Sequence, residues 1–336
     1  MLIVDGLRLP GHFQPALVER ARGYHQPDGD ILVVSYPKAG THWLCHILAV
    51  VLADFGTPAT PVYLEAAGDN GSATKSTKDR IVFSHVPVGF FERPARLPCE
   101  PSDIDGVGAG DVRPRPTVQE TLRRFRKVIY LCRNPADVIV SYHYHCRTLS
   151  KLYGDGYSCQ SLDEFAQLFL SDECCYGSYF SHVRDWLSCK GCDLHVVAYE
   201  ELQLDFDATV SRLIRFIGKD QWLASGGAGV DKLRKLREEC TVKRTRTLIE
   251  RQVTEMIGKH VDGDHLSQDQ RQSVSCIQRE ASDRERFVSV FAHKGLIGEG
   301  RANLSEDILA KLNRLTIAHL SDTPIVTIWK KLGVLV

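Results

Sequence analysis

The most constraining stretch of the chain is residues 31–43, Ile-Leu-Val-Val-Ser-Tyr-Pro-Lys-Ala-Gly-Thr-His-Trp. Ile31 to Ser35 are apolar and rich in β-branched side chains, the pattern of a buried parallel strand. Tyr36 and Pro37 end it, and Lys38, Gly40 and Thr41 fall within the next four positions. An apolar helical pattern then runs from Trp43 to Phe55. A strand, a tight basic turn and a helix N-terminus together make an anion site. Unpaired amides and the positive end of the helix dipole face whatever sits in the turn. Lys38 adds a point charge and Thr41 a hydroxyl.

The nucleotide-kinase loop G-x-x-x-x-G-K-[ST] is a different arrangement, because here the Lys precedes the only Gly. Three further apolar runs read as strands: Ile81–Ser84, Lys127–Cys132 and Leu194–Ala198. Between them lie helical patterns with start signals. Asn134 and Pro135 suit an N-cap and a first helical position, and Ser161 with Glu164 reads as a capping box. Further helices are expected at Pro15–Arg22, Tyr179–Cys189 and Phe206–Ile217, the last closed by Gly218. Others are expected near 231–239, 246–257 and 267–286, and after Ser305. Residues 56–80 read as a loop. Strands alternating with helices predict an α/β fold, a doubly wound, mainly parallel sheet with helices on both faces. Such sheets bind ligands where their strands end. The four ends deliver Lys38, His85, Arg133 and Tyr199.

A chain of 336 residues has ample core for one large domain, and residues 1–336 are read as one, with long inserts near 94–118 and 240–290. Lys+Arg and Asp+Glu both number 42, which excludes a nucleic-acid polycation. No apolar stretch reaches membrane-span length, and the start lacks a basic segment followed by an apolar one. The 11 Cys are scattered and often sit in apolar runs, which fits reduced intracellular thiols and a cytoplasmic location. Cys189 and Cys192 form a C-x-x-C with no second pair at ligand spacing, so no metal site is expected.

Tyr36-Pro37-Lys38-Ala39-Gly40-Thr41-His42-Trp43 resembles the 5′-phosphosulfate loop of cytosolic sulfotransferases, roughly Y-P-K-[SA]-G-T-x-W. The resemblance extends from about residue 25 to 320. Ser84-His85-Val86-Pro87 is similar to the family's [TS]-H-x-P, and Lys127 to Tyr142 to its K-V-x-Y-x-x-R-N-P-x-D-x-x-x-S-Y. Tyr199-Glu200 is similar to its Y-E, and His293-Lys294-Gly295 to its late R-K-G. The resemblance implies a P-loop-like sulfotransferase fold and the donor 3′-phosphoadenosine 5′-phosphosulfate (PAPS; product PAP), with no metal. The acceptor would be a small phenol, sterol, alcohol or amine. His85 would be the catalytic base. Lys38 would steady the leaving group, with Ala39, Gly40, Thr41, His42 and Trp43 lining the donor. Arg133, Ser141, His293, Lys294 and Gly295 would hold the 3′-phosphate, and Tyr199 would lie near the adenine.

The pattern also departs from the family. Phe83 stands where many members carry a Lys, His293 replaces an Arg, and Gly298-Glu299-Gly300 stands where G-D-W is usual. The family's late dimerisation motif is not recognisable, so the oligomeric state is open. Two other readings remain at this point: a PAP- or PAPS-binding protein with little turnover, and a P-loop-like small-molecule kinase. Arg133 also has a local alternative, pairing with Asp137 one helical turn on.

Overall fold

The computed structural model of the protein describes residues 1–11, 13–24, 30–67, 80–92, 122–123, 125–148, 161–190, 192–223, 227–242, 244–245 and 295–335. The helices expected at 246–257 and 267–286, and the 94–118 insert, lie outside these residues.

The chain opens with a hairpin of β1 (Leu2–Val4) and β2 (Leu7–Leu9), turned at Asp5 and Gly6, both left-handed. Helix α1 (Pro15–Arg22) leads to β3 (Asp30–Ser35), followed by α2 (Thr41–Leu52). Then come β4 (Val62–Tyr63), α3 (Leu64–Ala67) and β5 (Ile81–Ser84). A 3-10 turn (Val88–Glu92) follows, and later β6 (Phe125–Cys132) and α4 (Pro135–Thr148). Next are α5 (Leu162–Leu170), α6 (Tyr179–Leu187), β7 (Leu194–Ala198), α7 (Tyr199–Leu204) and α8 (Phe206–Phe216). The described chain ends with α9 (Asp220–Leu223), α10 (Gly227–Glu239), α11 (Glu299–Asn303), α12 (Glu306–Leu320) and α13 (Pro324–Lys331).

Five strands form one parallel sheet in the order β4-β5-β3-β6-β7. β3 lies at its centre, and all six of its residues are buried. The pleat sends alternate side chains to opposite faces. Leu32, Val34, Val82, Val128 and Tyr130 join one apolar core with α4, α5, α6, α12 and α13. Ile31, Val33, Ile81, Phe83, Ile129 and Leu131 join a second core with α2, α8 and α10. Both faces are therefore covered, as the doubly wound expectation requires.

The local signals hold where the sequence supplied them. Asn134 Oδ1 accepts from the Ala136 amide at 3.0 Å, and Pro135 opens α4. Ser161 and Glu164 make the reciprocal bonds of a capping box. One expectation needs revising. Residues 56–80 are not all loop, since they contribute the edge strand β4 and the short helix α3. Two residues of strand beside a Gly- and Pro-containing run give too short a pattern to read, and pairing with β5 makes the strand.

Because the strands are parallel and in register, their ends lie along one edge of the sheet. Ser35 pairs with Leu131, Val34 with Ser84, and Cys132 with Ala198. Among the described residues, no helix is long and apolar enough to cross a membrane.

Candidate active site

The turn between β3 and α2 is tightly wound. Lys38 has φ +71° and Gly40 φ +106°. A left-handed lysine is uncommon, and such backbone persists where the surroundings impose it. A Cβ on Gly40 would lie 2.6 Å from the Tyr199 ring, so both the angle and the space call for glycine. At the start of α2 the Trp43 and Leu44 amides donate to the Gly40 carbonyl at 3.0 and 3.2 Å, while the Thr41 and His42 amides precede the first intrahelical bonds. Thr41 Oγ1 meets Ser35 Oγ at 2.5 Å, tying the helix start back to the strand end.

Arg133 closes one side. It is buried and donates to the carbonyls of Lys38 at 3.3 Å and Leu296 at 3.0 Å. Its guanidinium lies 4.4 Å from the Tyr199 ring centroid. The local alternative is also present: Arg133 and Asp137 are 3.9 Å apart. That contact is long, because Asp137 mainly accepts from the amides of Gly298 at 3.0 Å and Gly300 at 2.7 Å. Arg133 Nε is buried without a hydrogen-bond partner among the described residues. Ser141, one turn beyond Asp137 on α4, is buried.

His85 closes the other side. Its Nδ1 lies 2.9 Å from the Ser35 carbonyl, which can only accept, so Nδ1 carries the proton. Nε2 is then the lone-pair nitrogen, and it has no hydrogen-bond partner among the described residues. The half-buried ring sits among Tyr63, Phe83 and Tyr176, with centroids at 5.6, 6.1 and 5.7 Å. Burial pushes its pKa down to about 4, and the Lys38 charge adds to this against the Ser35 bond. Burial also takes Lys38 down to about 8, with the Arg133 charge contributing. His42, edge-on to Phe83 at 5.1 Å, falls to about 3 through burial and the charges of His85 and Lys38. Lys38, His42, His85 and Arg133 are thus gathered around the β3–α2 turn, His85 through the Ser35 carbonyl and Arg133 through the Lys38 carbonyl.

Trp43 is held by its Nε1, which donates to the Cys240 carbonyl at 2.6 Å, and it meets Tyr199 edge-on at 5.4 Å. Tyr199 donates its hydroxyl proton to the Gly295 carbonyl at 2.7 Å, and Gln203 donates to the same oxygen at 3.1 Å. Gly295 therefore sits at the site, bonded on its carbonyl side, while His293 and Lys294 lie outside the described residues. Phe83, standing where the pattern led one to look for a Lys, is buried and stacks on Tyr63 at 4.6 Å. Aromatic packing occupies that position.

The sequence reading missed Glu65, Tyr63 and Tyr176, which touch His85 or its backbone, and it left Asp137 without its role in fastening 298–300. Among the described residues, no group of three or more His, Cys, Asp or Glu side chains could hold a metal ion. The Sγ atoms of Cys189 and Cys192 lie 4.0 Å apart.

A family model described as "Sulfotransferase domain" matches residues 112–324, more than half of the chain. The chain belongs to the sulfotransferase family. The matched span includes Arg133, Ser141, Tyr199 and 293–295, while Lys38 and His85 precede it. Among its sulfotransferase relatives, 3-beta-hydroxysteroid sulfotransferase of Cavia porcellus is 32% identical over 228 residues, 64% of this chain and 68% of that protein. Sulfotransferase 2B1 of Homo sapiens is 30% identical over 202 residues, 57% of this chain and 47% of that protein. The chain spans about half the length of the Sulfotransferase 2B1 relatives it matches. In structure it resembles mouse sulfotransferase SULT7A1 complexed with PAP, at a TM-score of 0.65 and 18% identity over 99% of both chains. It also resembles retinol dehydratase in a complex with retinol and PAP, at 0.62 and 17% identity over 93% of this chain and 87% of that one. At these identities the likeness is one of fold, and the sheet of this sulfotransferase-family chain matches it.

Proposed function

We propose that the chain is a cytoplasmic sulfotransferase that moves a sulfuryl group from PAPS to a hydroxyl or amine of a small acceptor and releases PAP. The observation that carries this reading is the convergence of Lys38, His85 and Arg133 on the turn between β3 and α2. Family membership and the PAP complexes among the structural neighbours support the donor. The buried Arg133 Nε, without a hydrogen-bond partner among the described residues, and the Thr41 and His42 amides that precede the first intrahelical bonds of α2 fit an anionic ligand at two points.

When bound, the donor supplies an activated sulfuryl group on a phosphate leaving group. Lys38 and the first-turn amides, with Ala39, Gly40, Thr41 and His42, hold that phosphate and offset the charge that grows on it. Arg133 and Ser141, with the 293–295 segment, hold the 3′-phosphate. Trp43 and Tyr199 flank the adenine. His85, neutral above pH about 4, takes the acceptor's proton on Nε2. Tyr63, Phe83 and Tyr176 give the space beside His85 aromatic walls. This suits a ring-bearing phenol or sterol, and the Cavia porcellus relative is named for a hydroxysteroid. Residues 1–336 then form one sulfotransferase domain.

Incubation with radiolabelled PAPS and a panel of phenols, sterols, alcohols and amines tests the activity. Label should pass to at least one acceptor with stoichiometric PAP. A thermal shift with PAP but no transfer would leave a binding protein, and a shift with ATP and Mg²⁺ alone would leave a kinase.

A further inference from the structure

Glu65 is a wholly buried carboxylate with an unusual set of neighbours. It sits on α3, just past the end of β4, in a stretch that reads as loop from sequence. Its Oε1 accepts from the His85 amide at 2.6 Å and from Ser84 Oγ at 3.2 Å. Ser84 Oγ in turn accepts from the Val86 amide at 3.2 Å. Three consecutive residues at the end of β5 therefore hang on one side chain. Oε2 is buried with no partner among the described residues. Burial raises the carboxyl pKa to about 7. Burying a carboxylate away from water is costly, and one spare oxygen makes it costlier. A side chain serving only to fasten α3 to the sheet would not need that chemistry.

The other fixings of His85 come from different elements. Ser35 of β3 holds its Nδ1. His182 of α6 donates from Nε2 to its carbonyl at 3.1 Å, with its own Nδ1 taken by the Tyr130 hydroxyl at 2.8 Å. Glu65 supplies the remaining backbone contact, at the amide. An imidazole that must take a proton from an attacking atom has to be placed to within a fraction of an ångström.

Resting on the sulfotransferase reading above, we propose that Glu65 is a positioning residue for His85: its carboxylate, clamped on the His85 amide, aims Nε2 at the acceptor.

The test uses the full chain with Glu65→Ala, Glu65→Gln and Ser84→Ala. Glu65→Ala should lower kcat by roughly 10- to 100-fold while the donor KM and PAP affinity stay within about twofold, as expected for a residue outside the donor site. Glu65→Gln keeps an acceptor oxygen for the His85 amide and should recover most of the lost rate. Ser84→Ala should fall between. Nitrogen-15 NMR of the imidazole should show the Nδ1-protonated form of His85 in wild type and Glu65→Gln, and a tautomer mixture in Glu65→Ala. Wild-type kcat in Glu65→Ala would overturn the proposal. So would a Glu65→Gln variant as slow as Glu65→Ala. If Glu65→Ala does not fold, the Gln and Ser84 variants decide alone, and an unchanged rate in Ser84→Ala with a tenfold loss in Glu65→Gln counts against it. If the wild type transfers no sulfuryl group, the activity reading fails; the NMR result still judges the clamp.

Discussion

The two halves of the proposed site, a donor half and a base half, are built in different ways. The donor half, the β3–α2 turn and the start of α4, comes from two short contiguous stretches, Tyr36–Trp43 and Arg133–Ser141. Its chemistry is main-chain amides, a cation at each point and a helix N-terminus. The base half around His85 is gathered from Ser35, Tyr63, Glu65, Phe83, Tyr176 and His182, spread over nearly 150 positions. An anion cradle needs local geometry, whereas a placed imidazole needs a surround. Changes in the two halves should therefore separate: donor-half variants alter affinity, and base-half variants alter rate.

The largest break is expected at His85. His85→Ala should lower kcat by about 100-fold or more, read in steady-state transfer assays with unchanged donor KM. Arg133→Ala should come next and act on the other side. It should raise the donor KM by roughly 10- to 100-fold, the worth of charge-assisted hydrogen bonds of about 1.5–3 kcal/mol.

The pH dependence sharpens the same division. A lowered His pKa leaves His85 neutral above about 4, so activity is lost only as pH falls through that value. A lowered Lys pKa leaves Lys38 charged below about 8, so donor capture is lost as pH rises through it. The kcat/KM profile for the donor should be a bell with limbs near 4 and 8. A single limb near the ordinary histidine value would break the assignment.

Smaller effects come from the frame. Gly40→Ala places a methyl against Tyr199 and forces a left-handed alanine. It should lower stability by about 1–2 kcal/mol and weaken donor binding, measured by melting and by PAP titration. Ser161→Ala removes a capping-box bond at the start of α5, from a residue with no assigned part in the site. It should cost about 1 kcal/mol, seen as a lower Tm with unchanged kinetics.

The same contrast explains what could be read in the chain before its structure. Strand β3, the Lys38 turn, the Asn134–Pro135 start of α4 and the Ser161–Glu164 box are each decided within a few neighbouring residues. Strand β4 is two residues long and exists because β5 lies beside it, so no period announces it, and Glu65 was lost with it. Tyr176 approaches His85 from a turn 91 positions away in the chain, a relation that no spacing records. The β1–β2 hairpin was missed for another reason. Its Asp5-Gly6 pair is a proper turn signal, but strands of three residues are too short to show alternation. Asp137 shows the limit of local pairing rules, because its better partners are the amides of Gly298 and Gly300.

The central claim is that one cavity holds a doubly anionic donor product through Arg133 and the β3–α2 turn while His85 stands apart from that binding. Calorimetric titration of PAP into wild type, Arg133→Ala and His85→Ala tests it most directly. The account predicts one site per chain, weakened at least tenfold in Arg133→Ala and unchanged within about twofold in His85→Ala. Equal affinity in all three, or loss of binding in His85→Ala alone, would contradict it.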